Sequence, residues 1–521
     1  MGSNIDSNAG ERGKSHWGVL AIACMAVFIM VIDTTIMNVS ISALVADLNT
    51  DLPAIQLTIA VYALIMASFM LFGSRMQDIA GRKKSFLFGV LLYGAGTFTA
   101  SVSWNIDILL IGWSVFEGLG AAFMLPATSA FLTDSYTGKE RAFAFGLWGG
   151  VGAAGAAFGP IVGGFLTTYY SWRWAFRLEL VVVLVIIIFS YLLKERKPRW
   201  GLREIDIIGT ILSFAGLSLV VIGILLLRNV FMWDVIPILI VSGIALLGIL
   251  YFWQVRRKKT GRMPLVDVDV FKNKTFDIGI VLGIIQNLVI AGILFIIPVF
   301  LQTVTGATAF LTGFALLPMS LAILAFSVSA NRLNVLAGPK ILILVGFAIA
   351  FCGSQLLGGV FGLYSEAFDI VPGSVILGIG IGIIFSQLTN ITLSSSSKEH
   401  ENDASGVLNT TRQLGTSLGT AIVGVLLFIS LFNGLVAEIG HGDDFEELSI
   451  EEKALQLQDW VYKMEESPPP DSLTPARTEE IKIIVDDALG SAMRQTFNAI
   501  SVILALGFAF ALLLPKRESD E

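Results

Sequence analysis

The sequence predicts an all-α polytopic membrane protein, and three observations lead to that class. Of the 521 residues, 55% are hydrophobic and only 14% are charged, and the mean hydropathy is +0.78; this excludes an ordinary soluble protein. Apolar runs of about 20 residues recur along the whole chain, each long enough to cross a hydrocarbon core of roughly 30 Å. The alternating apolar and polar pattern of a membrane β-barrel is absent.

Charged and turn-forming clusters divide the chain into fourteen predicted spans. The spans lie near 17–39, 53–76, 84–103, 107–133, 142–166, 172–193, 205–228, 233–255, 275–303, 308–331, 340–363, 367–393, 403–433 and 489–515. The first apolar run is too long for a signal-peptide core and lacks an obvious cleavage site, so we interpret it as a membrane helix.

Basic residues gather on alternate connections between the spans. They include 82–84 after the second span, 194–203 after the sixth and 256–274 after the eighth, whereas the stretches "DLNTDLP" and "SWNID" contain none. By the positive-inside rule, both termini are expected in the cytoplasm. The predicted location is the plasma membrane, which the chain crosses many times.

The outward connection 434–488 is long and rich in Asp and Glu. Its apolar residues recur at helical spacing on both sides of the break "SPPPDS", which predicts a small helical hairpin packed on the mouth of the membrane domain. The alternative is a disordered acidic loop. The segment is too short for a receptor or enzyme domain.

Several function classes are excluded by what the sequence lacks. It has no Gly-x-x-x-x-Gly-Lys-Ser/Thr loop and no large soluble domain, which argues against nucleotide hydrolysis. Its two cysteines lie in apolar runs, and no Cys/His cluster has metal-ligand spacing. We therefore expect a transporter driven by an existing gradient, not an enzyme, with no metal, cofactor, nucleotide or nucleic acid.

The connection after the second span reads "GSRMQDIAGRKKSFLFG" and places Asp78, Gly81, Arg82 and Lys83 between two helices. The Asp78 carboxylate is positioned either to cap a helix N-terminus or to pair with the arginine. A contact of this kind forms in one arrangement of the helices and breaks in another, which suits a gate. We call this connection the gating loop.

The gating loop resembles the signature loop of the major facilitator superfamily, Gly-x-Leu-x-Asp-Arg-x-Gly-Arg-Lys. In the fourth span, "EGLGAA" resembles the family's next motif, with Ser114 where the family has an arginine and Glu117 where it has a glutamine. The most specific match is to the family's antiporter motif, Gly-x-x-x-Gly-Pro-x-x-Gly-Gly. Its residues here are Gly155, Gly159, Pro160, Gly163 and Gly164.

Together with "IDTTIMNVSISAL" and "SWRWAF", these motifs resemble the fourteen-helix drug:proton antiporter branch of that family over nearly the whole chain apart from 434–488. The resemblance implies two six-helix bundles with an inserted helix pair. The implied divisions are a cytoplasmic tail 1–16, a first bundle 17–203, the pair 204–256, a second bundle formed by 257–433 and 489–515, and a cytoplasmic tail 516–521.

Ionisable residues inside membrane spans are costly and tend to mark paths for protons or substrates. Glu117 lies about ten residues into the fourth span, near the bilayer midplane at 1.5 Å per residue. A carboxyl group there favours its neutral form, which suits reversible protonation; the alternative is a structural hydrogen bond. Asp33, followed by Asn38 in the first span, is either a proton or cation site or a carboxylate that holds neighbouring helices.

Arg177 and Glu179 enter the sixth span from the outside, either as a compensating pair or each facing the cavity. Because they point to different sides of a helix, we expect Glu179 in the cavity and Arg177 at its rim. Arg412 is predicted near the middle of the thirteenth span and Arg494 near the outer end of the last. A midplane arginine needs a carboxylate or several carbonyl partners, and packing between helices is the alternative role for Arg412.

Uncharged polar, aromatic and methionine side chains on other spans are predicted to complete an amphipathic cavity, with packing or lipid contact as the alternative for each. They are Trp113, Phe116, Phe123, Met124, Trp148, Gln286, Asn287, Gln302, Gln387 and Asn390.

These observations predict a proton-coupled exporter of hydrophobic, cationic compounds whose partners are lipophilic small molecules, protons and the bilayer. Protonation of Glu117 or Asp33 would release the cation outwards. The rival function is a proton-coupled carrier of a physiological anion, lipid or peptide, for which Ser114 and the additional arginines leave room. A receptor or scaffold would leave the gating loop and the antiporter motif without a purpose.

The antiporter motif raises a structural question, because glycine and proline are poor helix formers. In lipid an unpaired backbone group is so costly that a helix persists through glycine. The spacing of Gly155, Gly159 and Gly163 by four predicts a flat strip on which another helix lies and slides, and Pro160 predicts a bend. We expect this strip at the boundary between the two halves.

Overall fold

The computed structural model describes residues 6–195, 198, 201–362, 365–395, 401–439 and 475–515, and within them the chain is helical without strands. The main helices, in chain order, are α1 (Asp6–Val39), α2 (Ile41–Asp47), α3 (Leu52–Ala80), α4 (Arg82–Ser101), α5 (Ile106–Ser135), α6 (Gly138–Tyr169), α7 (Arg173–Phe189), α8 (Ile207–Leu225), α9 (Ile236–Lys259), α10 (Lys274–Thr303), α11 (Ala309–Val360), α12 (Val371–Ser394), α13 (Glu401–Ile439) and α14 (Pro475–Leu512). The predicted all-α membrane fold is confirmed.

Thirteen stretches of the described residues are helical, long and apolar enough to cross a membrane. Helix α11 supplies two of them, Ala309–Ser329 and Ala337–Val360, because the chain breaks at Gly338 with φ of 70°. Helix α2 is too short to span. The remaining predicted span, 84–103, coincides with α4, whose polar residues lower its hydropathy. The count of fourteen spans therefore stays a prediction.

The helices form two groups that meet along two seams. Helices α1 and α3 to α7 pack together as a first half, and α10 to α14 pack together as a second half. Helix α6 crosses to α11, and α3 crosses to α13. Because α3, α6, α11 and α13 carry most of the contacts between the halves, relative motion of the halves has to change the packing of these four helices.

The inserted pair α8 and α9 packs outside the α3–α13 seam. On α8, Leu217, Val221 and Leu225 form one buried cluster with alanines of α3 and with Ala421 of α13. The pair therefore touches both halves. Helix α9 continues to Lys259, three residues past the predicted limit of 256.

Buried polar groups hold the connections on either side of the pair. The Asp206 carboxylate accepts hydrogen bonds from the Gly209 backbone N–H, the Trp253 indole and the Gln254 amide at 2.9 Å, and Arg257 Nε lies 3.7 Å away. This buried acid thus has a full set of donors, which compensates its desolvation.

A second acid of this region, Asp269, lies half-exposed on the connection between α9 and α10. Lys258 Nζ lies 2.8 Å and Lys272 Nζ 3.0 Å from its carboxylate. Hydrogen bonds from Lys258 and then Lys272 lower the pKa of the Asp269 carboxyl to about 2. Charge-assisted contacts therefore hold the end of α9 to the start of α10.

The predicted hairpin in 434–488 falls largely on 440–474, which lie outside the described residues. At its borders, α13 continues to Ile439 and α14 begins at Pro475. The helices on both sides are therefore longer than the predicted spans 403–433 and 489–515.

Candidate functional site

Three acidic residues from three helices of the first half meet inside it. Asp33 of α1, Glu117 of α5 and Glu179 of α7 are each at most 3% exposed, and one carboxylate oxygen from each lies within 4.8 Å of the other two. No basic side chain of the described chain forms an ion pair with them. Within the described part of the chain, neither oxygen of Glu117 forms a hydrogen bond with a donor. We call these residues the acidic trio.

Aromatic side chains surround the acidic trio and donate to two of its members. The Trp113 indole N–H donates to Asp33 Oδ2 at 2.8 Å, and the Tyr93 hydroxyl donates to Glu179 Oε2 at 3.1 Å. Trp113 stacks on Tyr62 with ring centroids 5.3 Å apart. The buried Tyr62 hydroxyl faces Asp33 and has no completed hydrogen bond. Neutral donors thus orient two of the three acids without balancing their charge.

Close contact between α4 and α5 positions this surround. A Cβ on Gly96 would lie 2.6 Å from the Glu117 backbone nitrogen, and a Cβ on Gly120 would overlap the Tyr93 backbone. The two backbones approach to distances that only glycine permits. Glu117 and Tyr93 therefore face each other across a glycine contact.

Helix α5 is also wound more widely just before Glu117. Residues Leu110–Glu117 form π-type turns, a feature that shifts the direction of the following side chains and often marks functional sites. Ser114, where the sequence departs from the family pattern, donates to the Thr58 carbonyl of α3 at 2.7 Å. Ser114 thus attaches α5 to α3, a role that the sequence did not indicate.

A cavity of about 560 Å³ opens between the halves at the end of the molecule that carries the gating loop, which we call the basic end. It is lined by side chains of α3, α4, α5 and α6 from the first half and of α12 and α13 from the second, among them Asp78, Arg82, Ser129, Arg141, Asp403 and Asn409. The acidic trio is not part of this lining. Pro126 of α5, which borders the cavity, lies nine residues beyond Glu117, about 14 Å along a helix.

The gating loop makes contacts that differ from both sequence alternatives for Asp78. Arg82 donates to the Ala130 carbonyl at 2.7 Å and pairs with Asp134 of α5. Two backbone N–H groups in the first turn of α4 donate to Glu195 at 3.2 Å. The arginine and the helix N-terminus thus have other carboxylates as partners in this structure, and Asp78 borders the cavity.

A contact between the halves at the basic end was missed by the sequence analysis. Arg75 Nη2 of α3 lies 2.7 Å from Asp403 Oδ1 of α13, and Arg75 Nε donates to the Leu265 carbonyl at 3.0 Å. One side chain thus joins the first half, the second half and the connection after the inserted pair. The basic residue was visible in the sequence, but both of its partners lie far from it along the chain, Leu265 by 190 residues.

The glycine strip of the antiporter motif packs within the first half. A Cβ on Gly159 would overlap Thr35 of α1, and one on Gly163 would lie 2.7 Å from the Ile36 Cα. The strip is therefore the contact between α6 and α1. The sequence predicted this strip at the boundary between the two halves. That prediction is wrong, because the helix on which the strip packs, α1, belongs to the same half as α6.

Helix α6 contacts the second half through another face. This contact lies at the end of the molecule remote from the gating loop, and we call that end the opposite end. There a Cβ on Gly164 would overlap the Ala309 carbonyl of α11, and one on Gly313 would overlap the Pro160 carbonyl. Near the basic end, by contrast, a Cβ on Gly146 would have open space around it. Along this seam the halves touch at the opposite end and separate towards the basic end.

Two further polar contacts close the opposite end. Gln302 Nε2 of α10 donates to the Val39 carbonyl of α1 at 2.9 Å, and the Phe310 backbone N–H donates to Thr168 Oγ1 of α6 at 3.0 Å. Gln302, predicted as a substrate residue, is therefore a contact between the halves. Asn38, the residue before Val39, is half-buried.

The three candidate arginines lie apart from the acidic trio. Arg177 is exposed and stacks over Trp174 at 5.0 Å. Half-buried Arg412 donates to Thr389 and lies over the Phe385 ring at 4.6 Å.

Arg494 of α14, the third of these arginines, forms hydrogen bonds with nearby residues at the opposite end of the molecule. Its guanidinium donates to the Phe361 carbonyl at 3.3 Å and to Ser491 Oγ at 2.8 Å. None of the three arginines forms an ion pair with a carboxylate in the described ranges, so their partners here are hydroxyls, carbonyls and rings.

The remaining cavity candidates do not border the 560 Å³ cavity. Gln286 and Gln387 are fully buried in the second half, and the Gln387 amide has no hydrogen-bond partner among the residues described. Trp113 and Met124 are buried in the first half, whereas Phe116 is exposed. The others are Phe123, buried, Trp148 and Asn287, half-buried, and Asn390, exposed.

Known proteins resemble the chain over nearly all of its length. Residues 23–420 match the model of the Major Facilitator Superfamily. The chain is 25% identical to the "Probable actinorhodin transporter" of Streptomyces coelicolor over 97% of its length and 93% of that protein's. It is 27% identical to the "Methylenomycin A resistance protein" of Bacillus subtilis over 82% of its length and 90% of that protein's.

The fold is also similar to solved structures. A crystal structure of a bacterial homologue of the human lysosomal transporter Spinster, inward-facing and unoccupied, superposes with a TM-score of 0.63 at 15% identity and covers 98% of both chains. The human organic anion transporter MFSD10 superposes with a TM-score of 0.58 at 9% identity, over 95% of this chain and 99% of that one. At such identities the likeness concerns the fold alone.

Proposed function

The chain belongs to the major facilitator superfamily, and on that premise we propose that it exports hydrophobic, cationic compounds in exchange for protons by alternating access. In this proposal the basic end faces the cytoplasm of a cell whose plasma membrane holds the protein. Cargo enters the cavity between the halves from that side. The acidic trio is the proton site.

One observation carries the proton coupling: three buried carboxyl groups share a small space, and no basic side chain of the described residues pairs with them. An uncompensated carboxylate in a low-dielectric interior is so costly that the group takes up a proton instead. Three such groups together repel one another when ionised, so their protons are shared and titrate as a set. The trio therefore changes its charge when the access of water or protons changes.

The charge of the trio is coupled to the boundary through two helices. Asp33 lies two residues before Thr35, which packs on the glycine strip of α6, and α6 carries the contact with α11. Glu117 lies on α5, which lines the cavity. A change in the hydrogen bonds of either acid thus acts on a helix that faces the cargo or the seam.

The cargo class rests on relatives and on charge. Several relatives at 24–27% identity are named for resistance to drugs, including the methylenomycin A protein and the "Multidrug resistance protein Stp" of Mycobacterium tuberculosis. A cation in the cavity lowers the cost of ionising the trio, and a proton on the trio weakens the hold on the cation. Cargo and proton then exclude each other, which is the requirement for exchange.

The proposal is tested in proteoliposomes by proton release when a cationic dye such as ethidium is added. Glu117→Gln and Asp33→Asn should each reduce dye-stimulated proton flux at least tenfold, while Asp107→Asn, an exposed acid on α5, should leave it unchanged. Wild-type flux in both trio variants would refute the carboxylate mechanism. Correct insertion is checked by yield and by monodispersity in detergent.

A second candidate function is proton-coupled carriage of an anion, lipid or peptide, and one observation favours it. Arg412 lies half-buried in the second half with a hydroxyl and a ring as partners and no ion pair with a carboxylate in the described ranges. An anionic cargo group would complete its contacts. If the wild type carried an anionic dye but not ethidium, and Arg412→Gln abolished transport of the anionic dye, this function would replace the first.

A further inference from the structure

We propose that the acidic trio also binds one hard cation of about the size of Na⁺ or Ca²⁺, in competition with protons. This inference rests on the proposed function only in taking the trio as the coupling site. It adds a second ion to that site, so that the occupancy of the trio depends on salt as well as on pH.

The size of the cation follows from the spacing of the oxygens. Three oxygens at most 4.8 Å apart have a common centre no more than about 2.8 Å from each. Oxygen ligands hold Ca²⁺ at about 2.3–2.6 Å, so small rotations of the side chains suffice. Mg²⁺ needs a near-ideal octahedron of oxygens at about 2.0–2.1 Å and gives up its waters reluctantly, which a dry site with few oxygen ligands does not suit.

The kind of cation follows from the ligand atoms. The trio offers only carboxylate oxygens, and no histidine or cysteine belongs to the group. Oxygen donors select hard cations over zinc, copper or iron. Buried aromatic rings around the trio exclude water, so the ligands have to come from the protein.

Unused polar atoms are the independent observation. Both Glu117 oxygens lack partners, and so does the Tyr62 hydroxyl, which is 2% exposed and faces Asp33. A hydroxyl oxygen is a neutral ligand for a hard cation. The contrast with Asp206 is instructive, because that buried acid has three hydrogen-bond donors and a guanidinium beside it. The chain surrounds the buried Asp206 carboxylate with donors, whereas it gives Asp33 and Glu179 one donor each.

Charge balance permits the exchange of ions. With all three acids ionised the trio carries −3, and Na⁺ with two protons or Ca²⁺ with one proton makes the site neutral. Starting from three protons, binding therefore releases one proton for Na⁺ and two for Ca²⁺. The release is the direct signature of a shared site.

The experiment uses the purified full-length protein in lipid nanodiscs and a weakly buffered pH indicator. NaCl and CaCl₂ are titrated, with KCl and MgCl₂ as size controls and choline chloride as the control for ionic strength. We expect saturable proton release with Na⁺ or Ca²⁺, and an apparent affinity that rises severalfold per pH unit. K⁺, Mg²⁺ and choline should give at least tenfold weaker responses.

Variants assign the response to the trio. Glu117→Gln should weaken the response at least tenfold, and Tyr62→Phe, which keeps the ring stacked on Trp113, should weaken it severalfold. Asp107→Asn on the same helix should match the wild type. An absent response, an equal response to K⁺ and Mg²⁺, or a full response in Glu117→Gln would overturn the inference.

The two proposals fail separately. Dye-stimulated proton flux that persists in Na⁺- and Ca²⁺-free medium without any cation binding would overturn the cation site and leave proton-coupled export standing. Cation binding with no dye-stimulated proton flux would refute proton-coupled export alone.

Discussion

Gly313 provides the sharpest test of the closed seam at the opposite end. A Cβ at this position would overlap the Pro160 carbonyl oxygen, well inside the 3.0 Å that real Cβ atoms keep. The obstacle is backbone of α6 and cannot rotate away. Gly313→Ala therefore forces α11 and α6 apart where the halves touch.

The magnitude follows from the cost of overpacking. Inserting a methyl group into a fitted contact costs about 1–3 kcal/mol. The cost is borne only by the arrangement in which the seam is closed at the opposite end, so the equilibrium shifts towards the arrangement open there. A differential of 1–3 kcal/mol corresponds to about 5- to 150-fold in that equilibrium.

The assay is the distance between spin labels across the opposite end. In a background without Cys24 and Cys352, labels replace Tyr170 in the first half and Phe368 in the second, both exposed. Gly313→Ala should move the distance distribution to longer values. Gly359→Ala on the same helix has open space around its Cβ and is the matched control. Identical distributions for the two variants would refute the assignment of this seam.

Three other predictions concern contacts described above. Gly159→Ala should reduce efflux severalfold without loss of insertion, because the added Cβ overlaps Thr35. Adding Thr35→Ala should restore part of the efflux rate. No rescue would mean that the glycine strip has another partner. Arg75→Gln and Asp403→Asn should each shift the equilibrium by about 1 kcal/mol towards the arrangement that is open at the basic end, which spin labels at that end would measure. The double variant should shift it little further. Additive effects would show that the two residues act independently. Lys258 and Lys272 lower the pKa of Asp269 below the unfolded value of about 3.9, so the stabilisation from this carboxylate is complete above about pH 4 and is lost as the pH falls through 2. Over that range, proteolysis between α9 and α10 should increase more in the wild type than in Asp269→Asn. Parallel curves for the two proteins would contradict this.

The sequence was sufficient for the fold class and for picking out the three acids that meet in the first half. Hydropathy located the helices because each has to satisfy its backbone within lipid. The intramembrane positions of Asp33, Glu117 and Glu179 marked them as exceptional, and the structure brings these three side chains together. Their convergence was not readable from spacing, since they come from three helices that are separated in the chain.

What the sequence could not supply were the partners of each marked residue. The glycine strip indicated a close helix contact but not which helix, and both α1 and α11 lie against different faces of α6. Arg82 pairs with Asp134, not with Asp78, because the rise and rotation of α5 decide which carboxylate is within reach. Arg75 and Asp403 look unrelated along the chain and meet only through the packing of α3 on α13.

The position of the inserted pair makes lateral access to the cavity asymmetric. Helices α8 and α9 cover the α3–α13 seam from the membrane side, so a molecule dissolved in the lipid finds that side occupied by protein. On the α6–α11 side no further helix of the described residues intervenes, and a Cβ at Gly146, Gly149 or Gly150 of α6 would meet open space. A lipophilic cargo that leaves the inner leaflet is therefore expected to enter from this flank, and bulky substitutions at Gly146 or Gly150 should slow the uptake of membrane-partitioning cargo more than that of a water-soluble one.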